Sequence, residues 1–184
     1  MKTIYYHGTS ADNLDSILKH GLSTSEGKIW SCSEDAVYLW DPKECAEVND
    51  LDADEDGENE ALRMAYESGQ IACAIAKDCR IVVVKVEVDS DEVHCDTSCE
   101  NMEGSGAKCI YRDIKPSEIL EIKVSNDFSL LKGYFIGIIA NRDYNNCDFT
   151  DLELQVSKLF EASCIYEEMD YLVKWETVKI LQEA

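Results

Sequence analysis

The segment that most constrains the fold is the run RIVVVKVEV at residues 80–88. It is apolar at its start, then alternates, and is rich in β-branched side chains, a pattern typical of a β-strand. Shorter segments of β-prone composition also predict strands, at residues 2–7, 29–33, 36–40, 108–111 and 119–124. The sequence therefore predicts a β-sheet assembled from the first two-thirds of the chain.

Helices are predicted between these strands. Ser10 is a good N-cap for a helix over residues 11–20, and Gly21 is expected to end it. Pro42 suits the first turn of a second helix, and residues 61–77 have helical composition. The fold class expected is α+β, with helices that flank the sheet.

The pattern changes near residue 125. Residues 150–183 carry apolar side chains at helical spacing, and no internal repeat or flexible linker is visible. We therefore predict a core domain over residues 1–125 and a mostly helical C-terminal extension over 126–184, packed on that core.

Charge narrows the classes of partner. The chain of 184 residues has 38 acidic and 17 basic side chains, a net charge of −21. Such a surface repels phosphate backbones, which argues against non-specific nucleic-acid binding. No apolar run approaches the roughly 18–20 residues of a membrane span, so no membrane association is expected.

Nine cysteines, irregularly spaced and without a CxxC pair, indicate reduced thiols and a cytoplasmic location. A zinc site built from His94, Cys95, Cys99 and Cys109 is an alternative, but its spacing fits no common finger or ribbon. The simpler interpretation is small, partly buried thiols, and no metal is predicted.

Residues 50–60 (DLDADEDGENE) are expected to form an acidic loop. Asp52, Asp54, Asp56 and Gly57 match the first half of a calcium-binding loop, but the twelfth position, where a bidentate Glu belongs, is Arg63. A solvated loop is the simpler interpretation, and steering of a basic partner is an alternative.

Several short motifs resemble, in their order and spacing, the ADP-ribosyltransferase superfamily. They are YHGTS at 6–10, KHGL at 19–22, WSCS at 30–33, VYLW at 37–40 and IYRDIKPSEIL at 110–120. The last segment looks like the closing strands of poly(ADP-ribose) polymerase-type and tRNA 2′-phosphotransferase-type members. The resemblance covers about residues 3–124 and implies a split antiparallel β-sheet core that binds NAD as a substrate.

The resemblance also implies site residues. His7 would donate a hydrogen bond to a ribose hydroxyl of NAD, and the main chain of Gly8 would hold the nicotinamide amide, with Thr9 beside them. Glycine suits that position because it has no Cβ. Tyr38 would stack on the nicotinamide ring as an aromatic platform. A serine on the preceding strand would complete the contacts, and Ser31 and Ser33 are equal candidates.

The third catalytic position departs from the family. Breaking the nicotinamide–ribose bond passes through an oxocarbenium-like state, which a nearby carboxylate stabilises. Polymerase-type members have Glu where this chain has Ala107. Glu103, in a glycine-flanked loop, is the nominee, and Glu100 and Asp113 are alternatives.

The expected function is NAD-dependent mono-ADP-ribosyl transfer to a protein or small-molecule acceptor, as in a phage or toxin-type effector. RNA phosphotransfer is disfavoured by the acidic charge, although Lys28, Arg80, Arg112 and Lys115 are candidate contacts for the NAD pyrophosphate. One alternative is a non-enzymatic, acidic interaction or inhibitor protein on the same fold that binds a basic site of a partner. NAD hydrolysis is another.

Overall fold

The fold is built around the strand that the sequence marks most strongly. The computed structural model describes residues 1–25, 35–48, 55–97, 104–127 and 175–178. Within them lies one seven-stranded antiparallel sheet, ordered β4-β5-β2-β1-β3-β6-β7. The strands are β1 (Lys2–Ser10), β2 (Val37–Trp40), β3 (Arg80–Asp89), β4 (Val93–Cys95), β5 (Ala107–Ile110), β6 (Ile119–Asp127) and β7 (Trp175–Val178).

In the described part of the chain, three α-helices accompany the sheet: α1 (Leu14–His20), α2 (Pro42–Val48) and α3 (Glu55–Ile75). Short 3₁₀ turns precede α1 and connect strands, at Ala11–Asn13, Ser90–Glu92 and Pro116–Glu118. The α+β class is confirmed. No helix among the described residues is both long and apolar enough to cross a membrane.

The sheet is held together unevenly. Strand β1 pairs with β3 along its whole length, from Lys2↔Asp89 to Ser10↔Ile81. Strand β2 pairs fully with β5, yet it meets β1 at Tyr6↔Trp40. The described strands thus form two halves, β4-β5-β2 and β1-β3-β6-β7, joined at that pair, which we call the junction.

Alternating side chains of β3 serve two apolar clusters on opposite faces. Val82, Val84 and Val86 pack into what we call the α1-side cluster, with Ile17 of α1. Ile81 and Val83 pack into the α3-side cluster with side chains of α2 and α3. Each fully buried aliphatic side chain contributes about 1.5–3 kcal/mol, so this central strand stabilises both layers.

The predicted helix stop at Gly21 is confirmed. Its φ of 86° lies in the region that favours glycine, and a Cβ there would sit 1.9 Å from the carbonyl oxygen of Ile114. That close approach is the β-bridge between Leu22 and Ile114. The helix itself begins as a 3₁₀ turn, and the Ser10 side chain makes no capping bond.

Three predictions of secondary structure are wrong. Residues 55–60 belong to α3 rather than to a loop, and Gly57 packs within that helix against Pro42 instead of forming the sharp turn of a calcium loop. Strand β4 lies within residues 89–106, a polar, glycine-containing stretch whose composition predicts a loop. Strand β7 lies where helical spacing predicts helix, and it pairs with β6. The predicted strand at 29–33 falls outside the described residues, as does the extension at 128–174.

Candidate functional site

His7 occupies the junction between the two halves of the sheet. Its Nδ1 lies 2.8 Å from the main-chain oxygen of Tyr38. Because a carbonyl oxygen only accepts, Nδ1 carries the proton and donates it. The side chain therefore bridges β1 and β2 next to Tyr6↔Trp40.

This bond fixes what the other ring nitrogen does. Burial lowers the pKa of His7, and the bond to Tyr38 opposes that effect without reversing it. The imidazole is therefore neutral near pH 7, with Nε2 unprotonated and able to accept a hydrogen bond. The resemblance implies that His7 donates to a ribose hydroxyl, whereas this tautomer would accept from one.

The absence of a side chain at Gly8 is explained by helix α3. A Cβ on Gly8 would lie 1.6 Å from the main-chain oxygen of Ala65 and 3.0 Å from the main-chain nitrogen of Gly69. The close approach that requires glycine here is that of a helix. The main chain of Gly8 follows His7 along β1, where Gly8 pairs with Val83 of β3.

Thr9 is buried, and its hydroxyl accepts a hydrogen bond from Asn13 Nδ2 at 2.9 Å. The side chain is thus engaged inside the protein, where it ties β1 to the following 3₁₀ turn.

Tyr38 is partly buried in β2, opposite Cys109 of β5. Its neighbours Val37 and Leu39 pack into the α1-side cluster. Because side chains alternate along a strand, the Tyr38 ring projects from the α3-side face of the sheet. Tyr6, which precedes His7 in β1, packs into the α3-side cluster. The His7 imidazole therefore projects from the α1-side face of the sheet. The structure brings the imidazole to the Tyr38 main chain and directs the two side chains to opposite faces.

The third catalytic position gains no carboxylate among the described residues. Ala107 is 4% exposed and pairs with Trp40 at the end of β2. Asp113 Oδ1 accepts hydrogen bonds from the main-chain nitrogen of Thr24 at 2.8 Å and from its hydroxyl at 3.2 Å, which is a structural use. The other predicted site residues lie outside the described part of the chain: Ser31, Ser33, Glu100 and Glu103.

Two of the four candidate phosphate contacts, Arg80 and Arg112, are already engaged in ion pairs. Arg80 pairs with Asp78, and Arg112 bridges Glu92 and Glu118. These bonds raise the pKa of Arg112 and lower that of Asp78. Gripping a pyrophosphate with either guanidinium would require breaking its ion pairs. Lys28 lies outside the described residues.

Sequence reasoning missed a buried charge on β5. Lys108 is 7% exposed, pairs with Glu44 of α2, and lies 3.4 Å from Cys95 Sγ. Burial lowers the pKa of Lys108, but the bonds to Glu44 and Cys95 together have the larger, opposite effect. The net pKa is raised, so Lys108 is charged. A lysine in an otherwise apolar strand is the signal that such a pair leaves in a sequence.

In the metal alternative, His94 pairs with Cys109 across β4 and β5, while Cys99 lies outside the described residues. Across the described ranges, no group of three His, Cys, Asp or Glu side chains is placed to hold a metal ion.

Comparisons with known proteins add no assignment. No protein-family model matches the chain, and no curated protein matches it.

Proposed function

We propose that the protein is an NAD-dependent mono-ADP-ribosyltransferase that modifies a protein or small-molecule acceptor. The observation that carries the proposal is the placement of His7, where β1 and β2 join, with Nδ1 bonded to Tyr38 and Nε2 left as an acceptor. A neutral imidazole in a fixed tautomer is suited to accept a hydrogen bond from a sugar hydroxyl. The order of the motifs along the chain supports NAD as the molecule that supplies that hydroxyl.

In the proposed reaction the bond between nicotinamide and ribose breaks, and nicotinamide leaves with the bonding electrons. The acceptor's oxygen or nitrogen then bonds to the ribose carbon, and its proton passes to solvent. His7 orients the ribose, and the main chain of Gly8 holds the nicotinamide amide. Because the Tyr38 ring lies on the opposite face of the sheet, Tyr38 acts through its main-chain oxygen, which holds His7 in place. Glu103 is the proposed acid that stabilises the oxocarbenium-like state.

The test compares two substitutions of His7 that keep different halves of the imidazole. His7→Asn retains a donor near Nδ1, which preserves the bond to Tyr38, but has no group at Nε2. His7→Gln retains a polar group near Nε2. Wild-type protein is incubated with labelled NAD and candidate acceptors, and transfer of label is measured together with thermal unfolding.

We expect His7→Asn to unfold near the wild-type temperature and to lose labelling by at least about 100-fold, since a catalytic contact is removed. His7→Gln should retain part of the activity. If intact NAD neither stabilises nor labels anything with the wild-type protein, the proposal is wrong. Accumulation of free ADP-ribose without labelled acceptor would identify a hydrolase instead.

The burial of Ala107 favours a second candidate, the non-enzymatic acidic interaction protein. The position that carries the acid in polymerase-type members here lies within packed structure, while the net charge of −21 suits a basic partner site. Binding to such a partner should weaken with salt and survive His7→Asn. Neutralising the acids of residues 50–60 should weaken it. Salt-independent binding would count against this candidate.

A further inference from the structure

Helix α3 contacts both halves of the sheet at the junction. On the β1 half, Gly69 packs so closely that a Cβ there would lie 2.4 Å from Ile81 Cγ2 and 3.1 Å from the main-chain oxygen of Thr9. Ala65 touches Gly8 in the same way. These contacts fix the distance between α3 and β1, because backbone atoms cannot give way as side chains do.

On the β2 half, α3 makes a polar contact. Trp40 Nε1 donates to Ser68 Oγ at 3.0 Å, and Ser68 Oγ donates in turn to the main-chain oxygen of Met64 at 3.0 Å. Trp40 is the residue that pairs with Tyr6 at the junction, and it lies two residues along β2 from Tyr38. Ser68 and Gly69 are neighbours, so adjacent residues of one helix hold the two halves.

We propose that Ser68 is a positioning residue for the candidate site, which acts through Trp40 to set where β2 lies relative to His7. This inference rests on the proposed function only in taking NAD as the ligand of the site. The positions of β2 and His7 that it concerns are those of the protein without a ligand. Since β1 and β2 share the Tyr6↔Trp40 pair and the His7–Tyr38 bond, a shift of Trp40 is passed to the carbonyl that His7 binds.

The direct test needs no ligand. The ¹⁵N and ring-proton signals of His7 are recorded in wild type, in Ser68→Ala and in a matched control, Ser90→Ala. Like Ser68, Ser90 is partly buried, and it lies in the 3₁₀ turn after β3, at the end of the sheet where Lys2 pairs with Asp89. We expect Ser68→Ala to shift the His7 signals, and Ser68→Thr, which keeps the hydroxyl, to restore them. Ser90→Ala should leave them unchanged. His7 signals that stay at wild-type values in Ser68→Ala would overturn the inference.

Trp40→Phe removes the same hydrogen bond from its other end and keeps the ring. It should produce the same His7 shift as Ser68→Ala, and the double variant should add little to either, because both changes remove one bond. Fully additive shifts would contradict the inference. If Ser68→Ala alone fails to fold, Trp40→Phe carries the test.

A second arm measures NAD affinity. Losing one hydrogen bond that positions the site should weaken NAD binding by roughly three- to tenfold in Ser68→Ala. Ser90→Ala should bind NAD as wild type does. A wild-type protein that does not bind NAD refutes the proposed function and leaves the His7 signals as the measure of this inference. NAD binding that Ser68→Ala leaves unchanged refutes the inference alone.

Discussion

The Nδ1–H bond of His7 is the residue-scale feature that links structure to chemistry. It joins two strands and at the same time decides which nitrogen is free to meet a ligand. Substitutions that treat the two nitrogens separately can therefore separate stability from binding.

Stability should depend on pH through His7. Burial places its native pKa below the unfolded value of about 6.5. Its contribution to stability is then fully present above pH 6.5 and is lost as pH falls from 6.5 toward the native pKa, where the unfolded state binds more protons. We expect the free energy of unfolding of wild type to fall more steeply than that of His7→Asn between pH 7 and pH 5.5. Denaturant titrations at both values measure it, and parallel pH profiles would contradict the account.

Asp113 is predicted to act in structure and not in transfer. Asp113→Asn keeps an oxygen that accepts from Thr24, whereas Asp113→Ala loses it and should cost about 1 kcal/mol. Labelling from NAD should stay within about twofold of wild type in both variants, measured at a temperature where both are folded. A stable Asp113→Asn that has lost labelling would instead identify Asp113 as the missing acid.

At the scale of elements, the packing of α3 on β1 is the tightest contact described. Gly8→Ala would place a methyl group on the Ala65 carbonyl, so we expect a loss of about 3 kcal/mol or more, or no folding. Gly104→Ala is the control, because no atom lies within 4 Å and only its φ of 75° resists, at about 1–2 kcal/mol. Equal losses in unfolding titrations would show that α3 does not pack as described.

Some elements were predictable from local pattern and others were not. The alternation in residues 80–88 and the cap at Gly21 are local signals, and both elements are confirmed. Strand β7 is stabilised by pairing with β6, and its helical spacing in sequence carries no trace of that pairing. Helix α3 begins six residues earlier than predicted, because acidic residues are tolerated in a first turn, where they meet the positive end of the helix dipole.

The sequence points to single residues of the candidate site but not to their arrangement, for a related reason. His7 and Tyr38 were singled out as residues, but their relation depends on the register of two strands that are far apart in sequence. The missing side chain of Gly8 suggests, from sequence, space for a ligand. In the structure Ala65 of α3, 57 residues later, packs into that space, and no local pattern indicates such a contact.

At the scale of the molecule, charge opposes folding. The chain has 38 acidic and 17 basic side chains, so its net charge is −21. Several of the basic side chains are paired with carboxylates, among them Arg63, Arg80 and Arg112. The excess acidic side chains repel one another. Salt screens this self-repulsion more than it weakens close pairs. We expect the unfolding temperature to rise by several degrees between 10 mM and 300 mM NaCl. A fall over that range would show that ion pairs outweigh repulsion.

The most direct test of the central claim is an NAD titration followed at individual histidines. We expect the Nε2 signal of His7 to shift and saturate as NAD is added, while the signals of His94, which is exposed on β4, do not move. His7 signals that stay unchanged at millimolar NAD, in folded protein, would contradict it.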